Sequence, residues 1–443
     1  MMPAGRLHYN ASAAVWGSMA EESAAAIGGG PGRVEPGGAA AHWRYTLWAM
    51  VGIQFVMTVA NSMLTPILPL FLPVLGVKTD TALDVWAGVL NGTTSFVAAF
   101  ASPLWGQLAD RHGRKLMLMR SSLAIGLFTA LMGAAGNVWQ FFGCRALMGV
   151  FAGFSTAAIS LVASQVPEDR LGYSLGWLYT GQLVGSLIGP IIGGILADLT
   201  GSYRIPFYCT AAMIFATMAL AWFTVHEEFT RPGKGASSRM TLSSLMALIT
   251  TPALLALFFV LLMAQFGVRT VQPVVTLYVK EMVGAVPNIA TLAGIAFSIT
   301  GLANVISAPL LGNRSDRIGY RRVLLICLAG GALTTLPQAF TQNYILFTAE
   351  RFAVGLFIGG LLPTANALVG RLVARADRGS VYGMTSSAMF MGNSLGPLIG
   401  GGIAASLGLR WVFLLTALVM AANLVWVYYR VPEFSERQAV GSG

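Results

Sequence analysis

Hydrophobic positions along this chain come in long, nearly unbroken blocks. A helix that crosses a bilayer needs about 20 mostly apolar residues. Twelve runs of that kind are present: residues 45–72, 85–109, 116–136, 138–164, 171–197, 203–225, 252–278, 287–311, 323–341, 344–368, 381–406 and 410–430. Most breaks between them are short, as between antiparallel neighbours in a helical bundle. The longest, residues 226–251, runs through EEFTRPGKGASS and leaves six runs on each side. Residues 1–44 are rich in Ala, Gly and Ser and lack the compact apolar core of a secretion signal; they are expected to be disordered. The pattern predicts an all-α membrane protein of twelve transmembrane helices in two six-helix, pseudo-symmetric halves. The halves are residues 45–225 and 252–430, joined by a linker over 226–251, with tails over 1–44 and 431–443.

Composition agrees with the pattern. Of 443 residues, 56% are apolar and only 10% charged, against about 25% charged in soluble proteins. The three cysteines (Cys144, Cys209, Cys327) lie inside apolar runs with no CxxC spacing, and the four histidines lie outside them. A disulfide framework, a metal site and an intramembrane histidine relay are therefore not expected. No Walker loop is present, so ATP is not the driver, and no nucleophile–base pair points to a membrane enzyme.

The formal charge of +10 bears on topology rather than on nucleic acid, because of where the cations fall. With the N-terminus inside, twenty Lys and Arg lie in inside segments and four in outside ones, the remaining three being Arg145, Arg269 and Arg351 within spans. The positive-inside rule then predicts a multi-pass membrane protein with both termini cytoplasmic.

The halves repeat. Ala101–Lys115 (ASPLWGQLADRHGRK) aligns with Ser307–Arg321 (SAPLLGNRSDRIGYR) at an offset of 206, with six identities in 15 positions. At the same offset Arg145, Gly149 and Gly153 meet Arg351, Gly355 and Gly359. At 207, Gly176, Gly185, Gly189, Pro190, Gly193 and Gly194 meet Gly383, Gly392, Gly396, Pro397, Gly400 and Gly401. Parallel repeats of this sort build secondary transporters with the substrate site between the halves. A channel would call for charge rings or carbonyl filters instead.

In the fifth run Gly181, Gly185, Gly189 and Gly193 recur every fourth residue, a ridge without side chains that permits close helix contact in lipid. Pro190 removes a backbone donor beside it. With its counterpart Ala388, Gly392, Gly396 and Gly400, the ridge is expected to be the surface on which the two halves rock. In GQLADRHGRK, Gly106 and Gly113 permit a sharp turn, while Arg111, Arg114 and Lys115 hold the loop on the basic side.

These motifs, with RALMGVFAG in the fourth run and GWLYTGQLVGSLIGPIIGG in the fifth, resemble the major facilitator superfamily. Within it the chain is similar to the drug:proton antiporters with twelve spans, in the MdtG-like multidrug efflux branch, over residues 45–430. The spacing Gly176-x8-Gly185-x3-Gly189-Pro190-x2-Gly193-Gly194 fits that family's antiporter motif, which implies export. The resemblance supports a conformational latch in which Asp110 pairs with a nearby Arg and with a helix N-terminus of the other half. Asp316, with Arg317, would repeat the latch in the second half.

Charges within spans are costly and by default functional. Arg145, Arg351 and Arg269 are therefore candidate cavity residues. Gln265, Arg269 and Gln272 share a helix face by spacing, as do Gln54 and Asn61; Asn91, Asn304 and Asn366 are weaker additions. The resemblance implies that spans one, four, seven and ten line the cavity. Glu350, whose repeat equivalent is Cys144, is the acidic residue well inside a span. It is the candidate for proton coupling, with Arg269 or Arg145 as its partner across the cavity. Proton-coupled relatives often carry an acid in the first span, where this chain has Gln54 and Asn61. The reading is a secondary active, proton-coupled exporter of drugs or other amphipathic small molecules by alternating access. It is expected to be monomeric in the bilayer and to need no cofactor beyond the proton gradient. Three buried arginines leave one alternative open: export or flipping of an anionic or lipid-linked sugar or organic acid.

Overall fold

The computed structural model describes residues 37–167, 170–225, 227, 252–372, 378–431 and 433. The chain separates into two units, Met1–Tyr45 and Thr46–Gly443. In the first, the described residues belong to the start of a helix, with the Arg44 guanidinium 5.7 Å from the Trp43 ring. The helices in order are α1 (Gly37–Met63), α2 (Ile67–Phe71), α3 (Asp80–His112), α4 (Arg114–Ala134), α5 (Val138–Val150), α6 (Phe154–Gln165), α7 (Leu171–Thr200), α8 (Ile205–Thr224), α9 (Pro252–Thr270), α10 (Gln272–Val283), α11 (Ile289–Ile318), α12 (Tyr320–Thr335), α13 (Tyr344–Ile358), α14 (Leu361–Leu372), α15 (Arg378–Leu407) and α16 (Leu409–Arg430). The helix of the first apolar run thus begins at Gly37, inside the stretch expected to be disordered.

Among the described residues, ten segments are long and apolar enough to cross a membrane. The other two of the twelve expected spans, α3 and α15, are as long, at 33 and 30 residues. They are diluted by polar and glycine positions such as Asn91-Gly-Thr-Thr-Ser and Thr385-Ser-Ser. These two spans pack against each other across the halves, so the least apolar spans shelter one another.

Four spans are broken, and the breaks repeat. The first is interrupted at Leu64–Pro66, the fourth at Phe151–Gly153, the seventh at Val271 and the tenth at Gly359–Gly360. Pro66 and Pro273 lie 207 apart and remove the N–H that would continue each helix. Gly153, at φ +126°, takes a conformation that favours glycine. Non-helical backbone at membrane depth is tolerated where it lines a cavity or is buried in protein.

Each half is locked by the same aromatic trio. Phe71, Phe141 and Phe207 have ring centroids 5.2–5.9 Å apart. Tyr278, Phe347 and Phe413 repeat them at 4.9–5.9 Å. All six are buried. Rings in this range gain beyond their area burial, so each half has its own core holding α2 or α10 against two neighbouring spans.

The halves meet along two seams, α3 with α15 and α7 with α11. Contact is closest at the end away from the basic turns at Gly113 and Gly319; that end is called the far end below. There a Cβ on Gly88 would overlap Pro397 O, on Gly194 Ala290 O and on Gly294 Pro190 O. Toward the basic end, a Cβ on Gly172, Gly176 or Gly312 would meet nothing within 4 Å. The halves touch at the far end and draw apart toward the basic end.

A candidate substrate site at the broken spans

Arg145 and Arg351 each stand in the eighth position of their helices, α5 and α13. Each backbone carbonyl accepts a bond from a threonine on the neighbouring span, Thr94 and Thr300, both at 3.2 Å. A Cβ on Gly149 or Gly355 would overlap the carbonyl of that same threonine. The duplication therefore seats the helix carrying each arginine by the same pair of contacts. Both Nε atoms are shielded from solvent and have no hydrogen-bond partner among the described residues. A buried guanidinium donor left open in this way is costly unless a ligand, water or another conformation supplies its acceptor.

Arg269 is held differently. It lies two residues before the break in the seventh span. Its Nη1 donates to Gln272 Oε1 at 2.8 Å and its Nε to Asn393 Oδ1 on α15 at 3.1 Å. Gln265 is half-buried on the same helix, and the Gln265 Cβ lies against Gly392.

The first span offers less. Asn61 is exposed and donates to Met57 O in its own helix. Gln54, expected on the cavity wall, is 3% exposed and donates to Thr58 Oγ1 one turn on. It is therefore buried in helix packing. Of the weaker candidates, Asn91 bonds Ala87 O in its own helix, and the Oδ1 of Asn304 is buried without a partner among the described residues.

Among the described residues Glu350 pairs with a threonine and with no arginine. Its carboxylate accepts two contacts from the Thr341 hydroxyl, at 2.8 and 3.0 Å, and the Tyr278 hydroxyl donates to Thr341 O at 2.9 Å. Arg269 is already engaged by Gln272 and Asn393, and Glu350 belongs instead to the polar margin of the second aromatic trio.

The glycine ridge also has a different partner from the one expected. Gly181, Gly185, Gly189 and Gly193 lie on Val51, Phe55, Thr58, Val59, Ser62 and Met63 of α1, in the same half. Gly392, Gly396 and Gly400 lie on α9 in the same way. The contact between halves uses the adjoining face: Leu187, Pro190 and Gly194 against α11, and Ser394, Pro397 and Gly401 against α3. Spacing shows that a face lacks side chains; it does not say which helix lies on it.

At the basic end, Gly113 and Gly319 have φ of +95° and +97°, turning each chain tightly into α4 and α12. The side chains of Asp110, Arg111 and Asp316 lie outside the described residues, as do Gly106 and Gly383 beyond their helical backbone. Arg317 is exposed at the last turn of α11. Two acids not singled out from the sequence act here. Glu227 accepts from the backbone N–H of Arg114 at 2.8 Å and of Lys115 at 2.7 Å, capping α4 as a distant carboxylate. Glu433 pairs with Arg322 at 2.8 Å. Lys115 lies over Trp222 and Arg321 over Tyr428 at 5.4 and 5.2 Å. Glu227 and Glu433, like Pro66 and Pro273, were discoverable from the repeat offset, since they stand 206 apart.

The far end of the α7–α11 seam carries a cross-half cap. Asp198 accepts from the N–H groups of Ala290 and Thr291, at 3.3 and 2.7 Å, and from the Thr291 hydroxyl at 2.5 Å. In the adjacent loop, burial and the Asp198 charge raise the Tyr203 phenol above its usual range.

The Major Facilitator Superfamily family model matches residues 50–286 and 257–442. The chain is 38% identical over 404 residues to Multidrug resistance protein MdtG of Yersinia enterocolitica, covering 90% of this chain and 97% of that protein. It is 38% identical over 387 residues to the protein of the same name from Escherichia coli O1:K1, covering 86% and 94%. Among solved structures it is similar to a D-xylose–proton symporter (TM-score 0.71, 15% identity, 88% of this chain and 98% of that one). The nucleoside transporter NupG gives 0.70 at 13% identity, over 87% and 100%. At these identities the two structures speak for the fold.

Proposed function

Because the chain belongs to the Major Facilitator Superfamily, we propose that it is a proton-coupled exporter of drugs and other amphipathic small molecules. The observation that carries this reading is the unequal seam: backbone-tight between the halves at the far end, parted at the basic end, with arginines on three of the four broken spans. That is one extreme of alternating access. The excess of cations on the parted end makes it the cytoplasmic side, with both termini there and the protein in the inner membrane as a monomer. Solute enters from that side and reaches Arg145, Arg269, Arg351, Gln265 and Gln272. Asp110, Asp316 and the basic residues of their loops latch the cytoplasmic end in the opposite state. Glu350 carries the proton-coupling role, exchanging its Thr341 contact for a proton. The MdtG relatives, named for multidrug resistance, favour drug export over the anionic or lipid-linked alternative.

The test is transport by purified protein in vesicles with an imposed pH gradient, using ethidium, Nile red and fluorescein as cationic, neutral and anionic probes. Gradient-dependent movement of the cationic or neutral probe, lost in Glu350→Gln, is the expected result. Movement indifferent to the gradient rejects antiport, and movement of fluorescein alone rejects the substrate class.

A further inference from the structure

The duplication exposes a difference that the motifs do not explain. At an offset of 207, Arg269 and Asn393 correspond to Ser62 and Ser186. In the first half these serines serve backbone: Ser62 Oγ donates to Gly185 O at 3.1 Å, and Ser186 Oγ to Leu183 O in its own helix at 2.8 Å. In the second half the same two positions bond to each other through their side chains, Arg269 Nε to Asn393 Oδ1 at 3.1 Å.

We propose that Asn393 is a positioning residue of the substrate site, one that holds the Arg269 guanidinium at a fixed angle beside the broken seventh span. This rests on Arg269 meeting the solute, as in the proposed function. A guanidinium offers five N–H donors in a planar fork. Bonds from Nε to Asn393 and from Nη1 to Gln272 take opposite edges of that plane, fix its tilt and, among the described residues, leave Nη2 open to a ligand. Gln272 alone cannot do this, because one bond lets the plane swing about it, and Gln272 sits at the helix break. Asn393 is placed by packing: the Gly392 and Gly396 positions flanking it lie backbone-to-backbone on α9, so the distance between α15 and Arg269 is set by main-chain contact. An arginine held in this way loses little freedom on binding, and preorganisation of that kind appears as affinity.

The test is the KM and maximal rate of gradient-driven transport of Nile red, whose carbonyl can accept from a guanidinium, in vesicles for Asn393→Leu, Asn393→Asp, Arg269→Ala and the double variant Arg269→Ala/Asn393→Leu. Leucine keeps the volume and removes the acceptor; aspartate keeps the acceptor. The expected result is a KM about tenfold higher for Asn393→Leu, from one lost bond to a charged donor. Maximal rate stays within about twofold and Asn393→Asp recovers KM to within about threefold, on the same reasoning. In the Arg269→Ala background Asn393→Leu adds nothing, because its effect runs through the arginine. An unchanged KM in Asn393→Leu, or a full additional loss in the double variant, overturns the proposal while leaving the transport reading intact. Wild-type transport by Arg269→Ala would instead overturn the placement of Arg269 at the solute, and the proposal with it.

Discussion

The α7–α11 seam and the α3–α15 seam close the far end on one backbone plan and with opposite electrostatics. Gly194 against Ala290 on the first seam corresponds to Gly401 against Asp84 on the second, and Gly294 against Pro190 to Gly88 against Pro397. On the first seam, Asp198 spends its charge on two backbone N–H groups and a hydroxyl of the other half. On the second, Asp84 stands in the second turn of α3, ahead of the apolar stretch that begins at residue 85, and among the described residues the charges that shift it are both acidic. Burial, then the charges of Asp80 on its own helix and of Glu281 on α10, push its carboxyl up to about 6. One seam is a clasp and the other carries a carboxylate that ionises at a cost on closure. The difference teaches that a duplicated scaffold preserves main-chain fit while each copy sets its own bias between states.

The largest effect should come from breaking what the seams share. Gly194→Leu and Gly88→Leu each place a side chain where main-chain carbonyls stand and cannot yield. Overpacking costs about 1–3 kcal/mol or more, so a shift of roughly a hundredfold toward the far-open state is expected for both. Electron spin resonance distances between labels on Leu199→Cys and Leu407→Cys, with the three native cysteines replaced by serine, would read it. Equal shifts support a common backbone plan; a shift in only one variant breaks the symmetry. Next comes Asp198→Ala, which removes the clasp from one seam alone. Losing a charge-assisted cap costs about 2 kcal/mol, or roughly thirtyfold toward far-open. Asp198→Asn, which keeps an acceptor, should lose less. Equal distances in Asp198→Ala and wild type would mean that the clasp does not bias closure.

The second seam should respond to pH. With the far end closed, Asp84 titrates near 6, against an ordinary value of 3.8 once water reaches it. The closed state then binds the proton more tightly, so protonation favours closure. The benefit is full below about pH 4, declines as pH rises through 6, and leaves an ionised, half-buried carboxylate above that. Two pKa units would correspond to a hundredfold bias, and solvent screening of a half-exposed group reduces this to about tenfold. The label distances should therefore move toward the far-closed value between pH 7.5 and 4.5, and Asp84→Asn should flatten the profile. An unchanged slope in that variant would assign the response elsewhere.

What was legible in the sequence divides along the same line. Apolar run length marked every span, α3 and α15 included, because a bilayer imposes its thickness on the chain whatever the fold. Repeat spacing marked the glycine ridge, Arg145 and Arg351, since both copies kept the small residues that main-chain contact requires. The partner of each group was not legible. The ridge of α7 faces α1 rather than the other half, and Gln54 is buried and bonds within its own helix. Glu350 meets Thr341 through a turn between two spans, and Glu227 caps a helix more than a hundred residues earlier in the chain. Run length and periodicity describe one helix at a time, while a pairing depends on the rotation of two. Asp198 and Asp84 lie beyond the regular apolar pattern, where only packing gives a carboxylate its neighbours.

The finest distinction concerns what sets the Asp84 response. Burial is the largest contributor, followed by Asp80 and Glu281. Asp80 moves with Asp84 on α3, so its repulsion changes little when the seam opens. Glu281 belongs to the other half and recedes, so it supplies the part of the repulsion that depends on conformation. Glu281→Gln should therefore lower the midpoint of the distance–pH profile by about half a unit, the scale of one partly screened like charge, while the profile keeps its slope. Asp80→Asn should lower the midpoint in both states together and leave the amplitude nearly unchanged. If Glu281→Gln flattened the profile as Asp84→Asn does, charge across the seam would outweigh desolvation. The second seam would then be a pair of opposed carboxylates rather than one that must be buried to close.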